Sequence, residues 1–247
     1  FLFLFSQIEF SQFENYKQTT ENLEERLLYG CYPEVTHYES WKEKQEYLRE
    51  IVNSYLLKDI LIFDGIKNAD KIYDLLRLIA FQVGKEVSLQ ELGNQLNLSK
   101  NTVEKYLDLL SKVFVIFKIE GFSRNLRKEI TKSSRWYFYD NGIRNAILNN
   151  FNTLNNRTDI GDLWENYLAS ERIKKQHYQK MVKQNYFWRT YDQQELDWLE
   201  TEAEVMEGYE FKWNENRKSK IPTAFAKAYP EAIFTVINKQ NYLDFIT

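Results

Sequence analysis

The chain has 247 residues, 43% of them hydrophobic and 28% charged, with a net charge of −3, which suits a globular protein with more than one core and confines any basic surface to local patches. Gly and Pro are scarce, at 8 and 3, so long disordered linkers are disfavoured. One cysteine, Cys31, rules out an internal disulfide and a cysteine-rich zinc site and fits a reducing cytoplasm, while His37 and His177 alone disfavour a histidine-based metal site.

The opening FLFLFSQIEF has no basic n-region and no cleavage site, so it does not read as a signal peptide, and it is too short to cross a bilayer. It reads as a strand from a larger domain, and with no initiating Met the chain is expected to be a fragment. From about residue 10 to 62 the pattern is helical. ESWKEKQEYLREIVNSYLLKDIL sets Leu48, Ile51, Val52, Tyr55 and Leu56 at helical spacing with charges opposite. The preceding LLYGCYPEV, punctuated by Gly30 and Pro33, reads as a helix end and a turn.

A second zone runs from about residue 69 to 139. KIYDLLRLIAFQVG is a helix stopped near Gly84, and SLQELGNQL is a short one with Ser88 as N-cap and Glu91 completing a capping box. Ser99 then caps KNTVEKYLDLLSK. Leu89, Leu92, Leu96, Val103, Leu107 and Leu110 are expected to face inward. VFVIFKIE and RWYFYD follow as apolar strands, separated by SRNLRKEITKSS, the expected wing of a winged helix. Lys100, Asn101, Thr102 and Lys105, at the start of the second helix, are where DNA would be met. Arg124, Arg127, Lys128, Lys132 and Arg135 could hold phosphates. The alternative is a winged helix used only for protein packing.

The third zone alternates helix and strand. TDIGDLWENYLASERIKKQ is an amphipathic helix, QNYFWRTY and QELDWLE are strands joined near Asp192–Gln193, and VMEGYEFKW is a third strand. AFAKAY follows Pro222 as a helix, and IFTVIN is the fourth strand. A mixed sheet with helices on its faces follows, so the class is α+β or α/β. The EKQE and ERIKKQ runs read as solvated helix faces, Cys31 as a non-nucleophile, and the tyrosines as core.

The chemistry lies in the last hairpin. Asp197 and Glu210 are equidistant from the middle of its turn, so antiparallel pairing sets them face to face, with Lys212 on the same face two residues on. Opposed acids repel unless a cation or proton lies between them. Carboxylates with neither His nor thiol suit Mg²⁺ or Mn²⁺, and a Lys beside them can orient a water and stabilise charge on a phosphate. An acid on one strand, Glu-x-Lys on the next and Glu165 on the preceding helix resemble the PD-(D/E)xK nucleases. There is no Pro before Asp197, and Glu195 is a competing acid on the same face. A structural ion cluster is the alternative.

LLYGCYPEV, SYLLKDI, FSRNLRKEI, YFYDNGIRNAI, LWENYLASER, FWRTYDQQELDWLE and GYEFKW stand in this order along nearly the whole chain. Together they resemble the C-terminal part of the AAA-type ATPases that carry DUF4143, although FLFLFSQIEF lacks that family's usual Pro. The resemblance implies an ATPase tail and lid at 1–65, a winged helix-turn-helix at 66–140 and a PD-(D/E)xK-like α/β sandwich at 141–247. It implies an ATPase, but no Walker A loop is present: Gly84-Lys85 is followed by Glu86, and Ile79 stands where the first Gly belongs. The expectation is therefore a cytoplasmic DNA-binding protein without an ATP site, outside the membrane, with self-association open. Its catalytic set would be Glu165, Asp197, Glu210 and Lys212, and its DNA contacts Lys100, Asn101, Thr102, Lys105, Arg127 and Lys128. A non-catalytic nuclease-like module that serves assembly is the runner-up.

Overall fold

Alternation of apolar residues builds a sheet on which the rest of the chain is hung. A computed structural model describes residues 4–56, 69–123, 134–217 and 219–247. Among these residues seven strands form one mixed sheet: β1 Glu86–Val87, β2 Ile116–Gly121, β3 Ser134–Phe138, β4 Gln184–Arg189, β5 Glu195–Glu202, β6 Val205–Phe211 and β7 Ile233–Ile237. Their order is β1-β3-β2-β4-β5-β6-β7. The β2–β4 and β6–β7 pairs are parallel and the others antiparallel. With helices packed on this mixed sheet, the class is α+β, as expected.

Eleven α-helices are described: α1 Gln7–Phe10, α2 Tyr16–Glu21, α3 Leu23–Tyr29, α4 Trp41–Glu50, α5 Ala69–Phe81, α6 Leu89–Leu96, α7 Lys100–Lys112, α8 Asn141–Ile147, α9 Ile160–Tyr178, α10 Thr223–Ala228 and α11 Tyr242–Ile246. The strand expected at the start gives way to α1. Ser6 accepts from the Glu9 amide while the Glu9 carboxylate takes the Ser6 amide, and this capping box overrides the apolar alternation. The helix expected after Ser40 is α4, continued by a wider π turn over Ile51–Leu56. Its continuation at 57–61 lies outside the described residues, as does the expected wing at 124–133 with Arg124, Arg127, Lys128 and Lys132.

Ser88 and Ser99 cap α6 and α7 as expected, accepting from the Glu91 and Thr102 amides, but the Glu91 carboxylate makes no return bond to the Ser88 amide, so the expected capping box is only half made. Leu92, Leu96, Val103, Leu107 and Leu110 are buried and Leu89 partly so. These residues pack into the large core with Trp136, Tyr137 and Phe138 of β3. A smaller core of Trp188, Leu196, Leu199 and Phe225 lies apart from it.

One expectation fails on α9. Its charged run is buried rather than solvated: Glu171, Arg172, Lys174, Lys175 and Gln176 are all enclosed. Each charge has a partner, as burial requires. Arg172 forks onto Glu200 at 2.6 and 2.7 Å, and Lys174 meets Glu171 at 2.7 Å. Glu171 takes the Gln7 amide at 2.6 Å, and Lys174 donates to the Phe5 carbonyl. The opposite side reaches α11, where Arg172 and Lys175 donate to the Phe245 carbonyl. A helix covered by the sheet, α1 and α11 leaves no solvated face.

YFYDNGIRNAI is a structural staple. Asp140 caps α8 through the Ile143 amide and takes the Cys31 amide at 2.7 Å. Asn145 donates to the Leu27 and Leu28 carbonyls, and Arg144 to that of Ala80. Gly30 turns with φ of +73°, and a Cβ there would overlap the Asp140 carboxylate.

Candidate active site

The two-residue turn Ala203–Glu204 sets the hairpin register. The ladder runs from Glu202↔Val205 to Trp198↔Tyr209 and stops one step short of Asp197 and Glu210, whose carboxylates still feel each other's charge. On its other side β5 carries a bulge, because Tyr186 pairs with Leu199 but Trp188 with Leu196. The extra residue falls at Asp197–Trp198. It lets Leu196 and Leu199 serve the smaller core while Trp198 enters the larger one. Bulges re-aim side chains in this way and concentrate beside active sites.

Asp197 is 8% exposed and accepts the Phe211 amide at 2.7 Å. Burial, then the charge of Glu210, push its carboxyl up to about 7. Glu165, from the first half of α9, is driven up to about 8 by burial and then by Asp197. Each acid thus feels the next, and the three occupy one electrostatic neighbourhood. Lys212, just past β6, puts Nζ 2.5 Å from Glu210 Oε1. Burial alone would lower its pKa, but the bond to Glu210 and that acid's charge raise it, so it is an ammonium.

Glu165 is held by groups that sequence reasoning did not join to it. Tyr137 Oη donates to Oε1 at 2.7 Å, and Arg135 Nη1 lies 3.7 Å from the same oxygen. Gly84, with φ of +74°, packs so close that a Cβ would lie 2.7 Å from Glu165 Oε1. The signal was present, since Arg135 and Tyr137 sit two apart on one strand and share its face. Arg135, expected on a phosphate-holding loop, is instead 4% exposed and turned toward these acids. Its Nη2 donates to Glu195 Oε2 at 2.8 Å. Arg189 pairs with Glu86 at 2.7 Å and lies 3.9 Å from Glu195, so Glu195 belongs to two arginines.

Among the described residues no three acidic, His or Cys side chains are gathered to hold a metal. Mg²⁺ asks for less, taking one or two carboxylates and completing its shell with water and phosphate oxygens. Asp197 and Glu210 fit that donor set, because their mutual repulsion is what a cation relieves.

The expected DNA-contact residues lie elsewhere. Lys100, Asn101 and Lys105 are exposed on α7, while the Thr102 hydroxyl is engaged with Ser99 at 2.8 Å. Lys100, Asn101 and Lys105 border a groove of about 1120 Å³ between α7 and strands β2 and β3, which Glu104, Asp108, Lys118, Glu120 and Trp136 also line. Arg127 and Lys128 lie outside the described residues.

The model of one family, the domain of unknown function DUF8612, matches residues 20–154, and the chain belongs to that family. A second model, the domain of unknown function DUF4143, matches residues 160–244, which contain every acid of the cluster and Lys212. An uncharacterized protein of Haemophilus influenzae is 27% identical over 121 residues, 47% of this chain and 30% of that protein. One from Methanocaldococcus jannaschii is 26% identical over 106 residues, 41% of this chain and 24% of the relative. One from Mycobacterium tuberculosis is 25% identical over 124 residues, 49% and 27% of the two chains. The chain therefore spans less than a third of the length of the curated relatives it matches. No solved structure matches it. No described helix is long and apolar enough to cross a membrane.

Proposed function

We propose that the chain is a DNA-directed module whose PD-(D/E)xK-like part hydrolyses phosphodiester bonds with Mg²⁺ or Mn²⁺. The observation that carries this reading is the buried Asp197 beside the half-buried Glu210, which repels it, with the Lys212 ammonium 2.5 Å from Glu210. Asp197 and Glu210 would hold the cation, Glu165 would complete the acid cluster, and Lys212 would orient the attacking water and face the charge that develops on the phosphate oxygens. A bound divalent ion supplies Lewis acidity and a more acidic water. The order α5, β1, α6, α7, β2, β3 supports a winged helix, in which Lys100, Asn101, Thr102 and Lys105 on α7, with Arg127 and Lys128, would meet DNA. Placement behind an AAA-type ATPase module follows from the resemblance alone. This sequence has no Walker A loop, so ATP hydrolysis is not assigned to it.

A second reading rests on a specific observation. Arg135 and Lys212 already offset Glu165 and Glu210, as they would in a structural ion cluster serving assembly. Plasmid cleavage with Mg²⁺ or Mn²⁺ separates the two, comparing the unaltered protein with Asp197→Ala and Lys212→Ala. Nuclease action predicts a loss of about 100-fold or more in both variants. Equal cleavage in all three, or none in any, favours the assembly module.

A further inference from the structure

Arg135 has no part in the nuclease scheme, yet it is the most confined cation near the acids. It is 4% exposed, and its guanidinium carbon lies 4.5 Å from the centre of the Phe187 ring. One nitrogen reaches Glu165 Oε1 at 3.7 Å and another Glu195 Oε2 at 2.8 Å. Its Nε finds no hydrogen-bond partner among the described residues. A buried donor left unpaired costs free energy, so neutral hydrogen bonding does not explain why an arginine stands here. Charge does, because a guanidinium keeps its proton under all ordinary conditions.

The placement divides the acids into two groups. Glu165 is engaged from one side by Tyr137 Oη and Arg135, with the Gly84 backbone packed against the same carboxyl. Among the described residues Arg135 pairs with Glu165 and Glu195, while Asp197 and Glu210 are held by the Phe211 amide and Lys212. Resting on the reading of this pocket as a cation site, we propose that Arg135 is the resident counter-ion of the acid cluster and a positioning residue. It keeps Glu165 out of the cation's direct coordination, so that Asp197 and Glu210 alone bind the metal. Glu165 is left to accept from water. The same fixed positive charge also weakens the site for a divalent ion, because it already reaches Asp197 and like charges repel.

The test is Mn²⁺ binding, read by calorimetry and by the loss of the free-ion paramagnetic resonance signal, with no substrate present. Arg135→Met keeps the length of the side chain without its charge, and is expected to bind Mn²⁺ at least about tenfold more tightly. Arg135→Lys, which keeps the charge, should stay within about threefold of the unaltered protein, as should Glu165→Gln. Folded Arg135→Met that binds no more tightly overturns the assignment. A tenfold loss in Glu165→Gln also overturns it, even if Arg135→Met does not fold. If the unaltered protein binds no Mn²⁺, the cation site itself falls and this inference with it. If it binds but the Arg135 variants do not differ from it, only the counter-ion role falls.

Discussion

Phe211 donates its backbone amide to Asp197 Oδ2 at 2.7 Å, at the point where the β5–β6 ladder ends. A side chain thus takes over a bond that a strand carbonyl would otherwise have made. The consequence is an asymmetry between two substitutions. Asp197→Asn can still accept with its carboxamide oxygen and sheds the repulsion with Glu210, so its denaturant midpoint at pH 8 should equal or exceed that of the unaltered protein. Asp197→Ala strands the Phe211 amide and should lose about 1–3 kcal/mol. Equal midpoints for the two variants would contradict the bond.

Acidity should be felt in the opposite sense to ordinary carboxylates. Asp197 and Glu165 hold protons in the folded chain up to about 7 and about 8, but release them near 4 when unfolded. Between those limits the native state binds more protons, so stability falls as pH rises. Each such group contributes a slope of about 1.4 kcal/mol per pH unit. Melting temperatures from pH 5 to 8 should therefore decline more steeply for the unaltered protein than for a variant carrying Asp197→Asn and Glu165→Gln together. Millimolar Mg²⁺ should flatten the decline in the unaltered protein only.

How much was legible beforehand depended on where the determining contacts lie. The register of the hairpin could be counted from its own turn, because Ala203–Glu204 and the ladder are local. The bulge could not, since its position is set by β4, a different strand packing a different core. The charges of α9 looked solvated because periodicity describes one helix, whereas their burial comes from α1, α11 and the sheet arriving from distant sequence. Arg135 looked like part of a basic loop because ten intervening positions carry several cations. Its place two residues before Tyr137 was the better guide.

Gly84 should tolerate no side chain. Its φ of +74° costs an alanine about 1–2 kcal/mol, and the added Cβ would lie 2.7 Å from Glu165 Oε1. Gly84→Ala is expected to lose about 2 kcal/mol or more by chemical denaturation, whereas Gly161→Ala, which meets nothing within 4 Å, should be neutral or stabilising.

Glu200 collects donors from Arg172, Lys183, Gln176 and the Trp198 indole, and its side chain is fully enclosed. Removing its charge leaves the Arg172 guanidinium buried without compensation. Glu200→Gln should therefore destabilise by about 3–5 kcal/mol, and a loss under 1 kcal/mol would show that the network is dispensable.

Replacing Lys100 and Lys105 together by Ala should weaken binding to a DNA duplex, measured by fluorescence anisotropy. It should also reduce the salt slope by about 0.9 for each phosphate that a lysine no longer neutralises. An unchanged slope would mean that α7 does not touch the backbone.

α9 receives the Gln7 amide of α1 on one side and sends Arg172 and Lys175 to the Phe245 carbonyl of α11 on the other. The earliest and latest described helices are thus locked to a single shaft, which also bears Glu165. Neither can peel away as a separate layer, so loosening either should register at the acid cluster as reduced hydrogen-exchange protection. Bringing such sequence-distant segments together is slow, and the assembled molecule should open in one cooperative step.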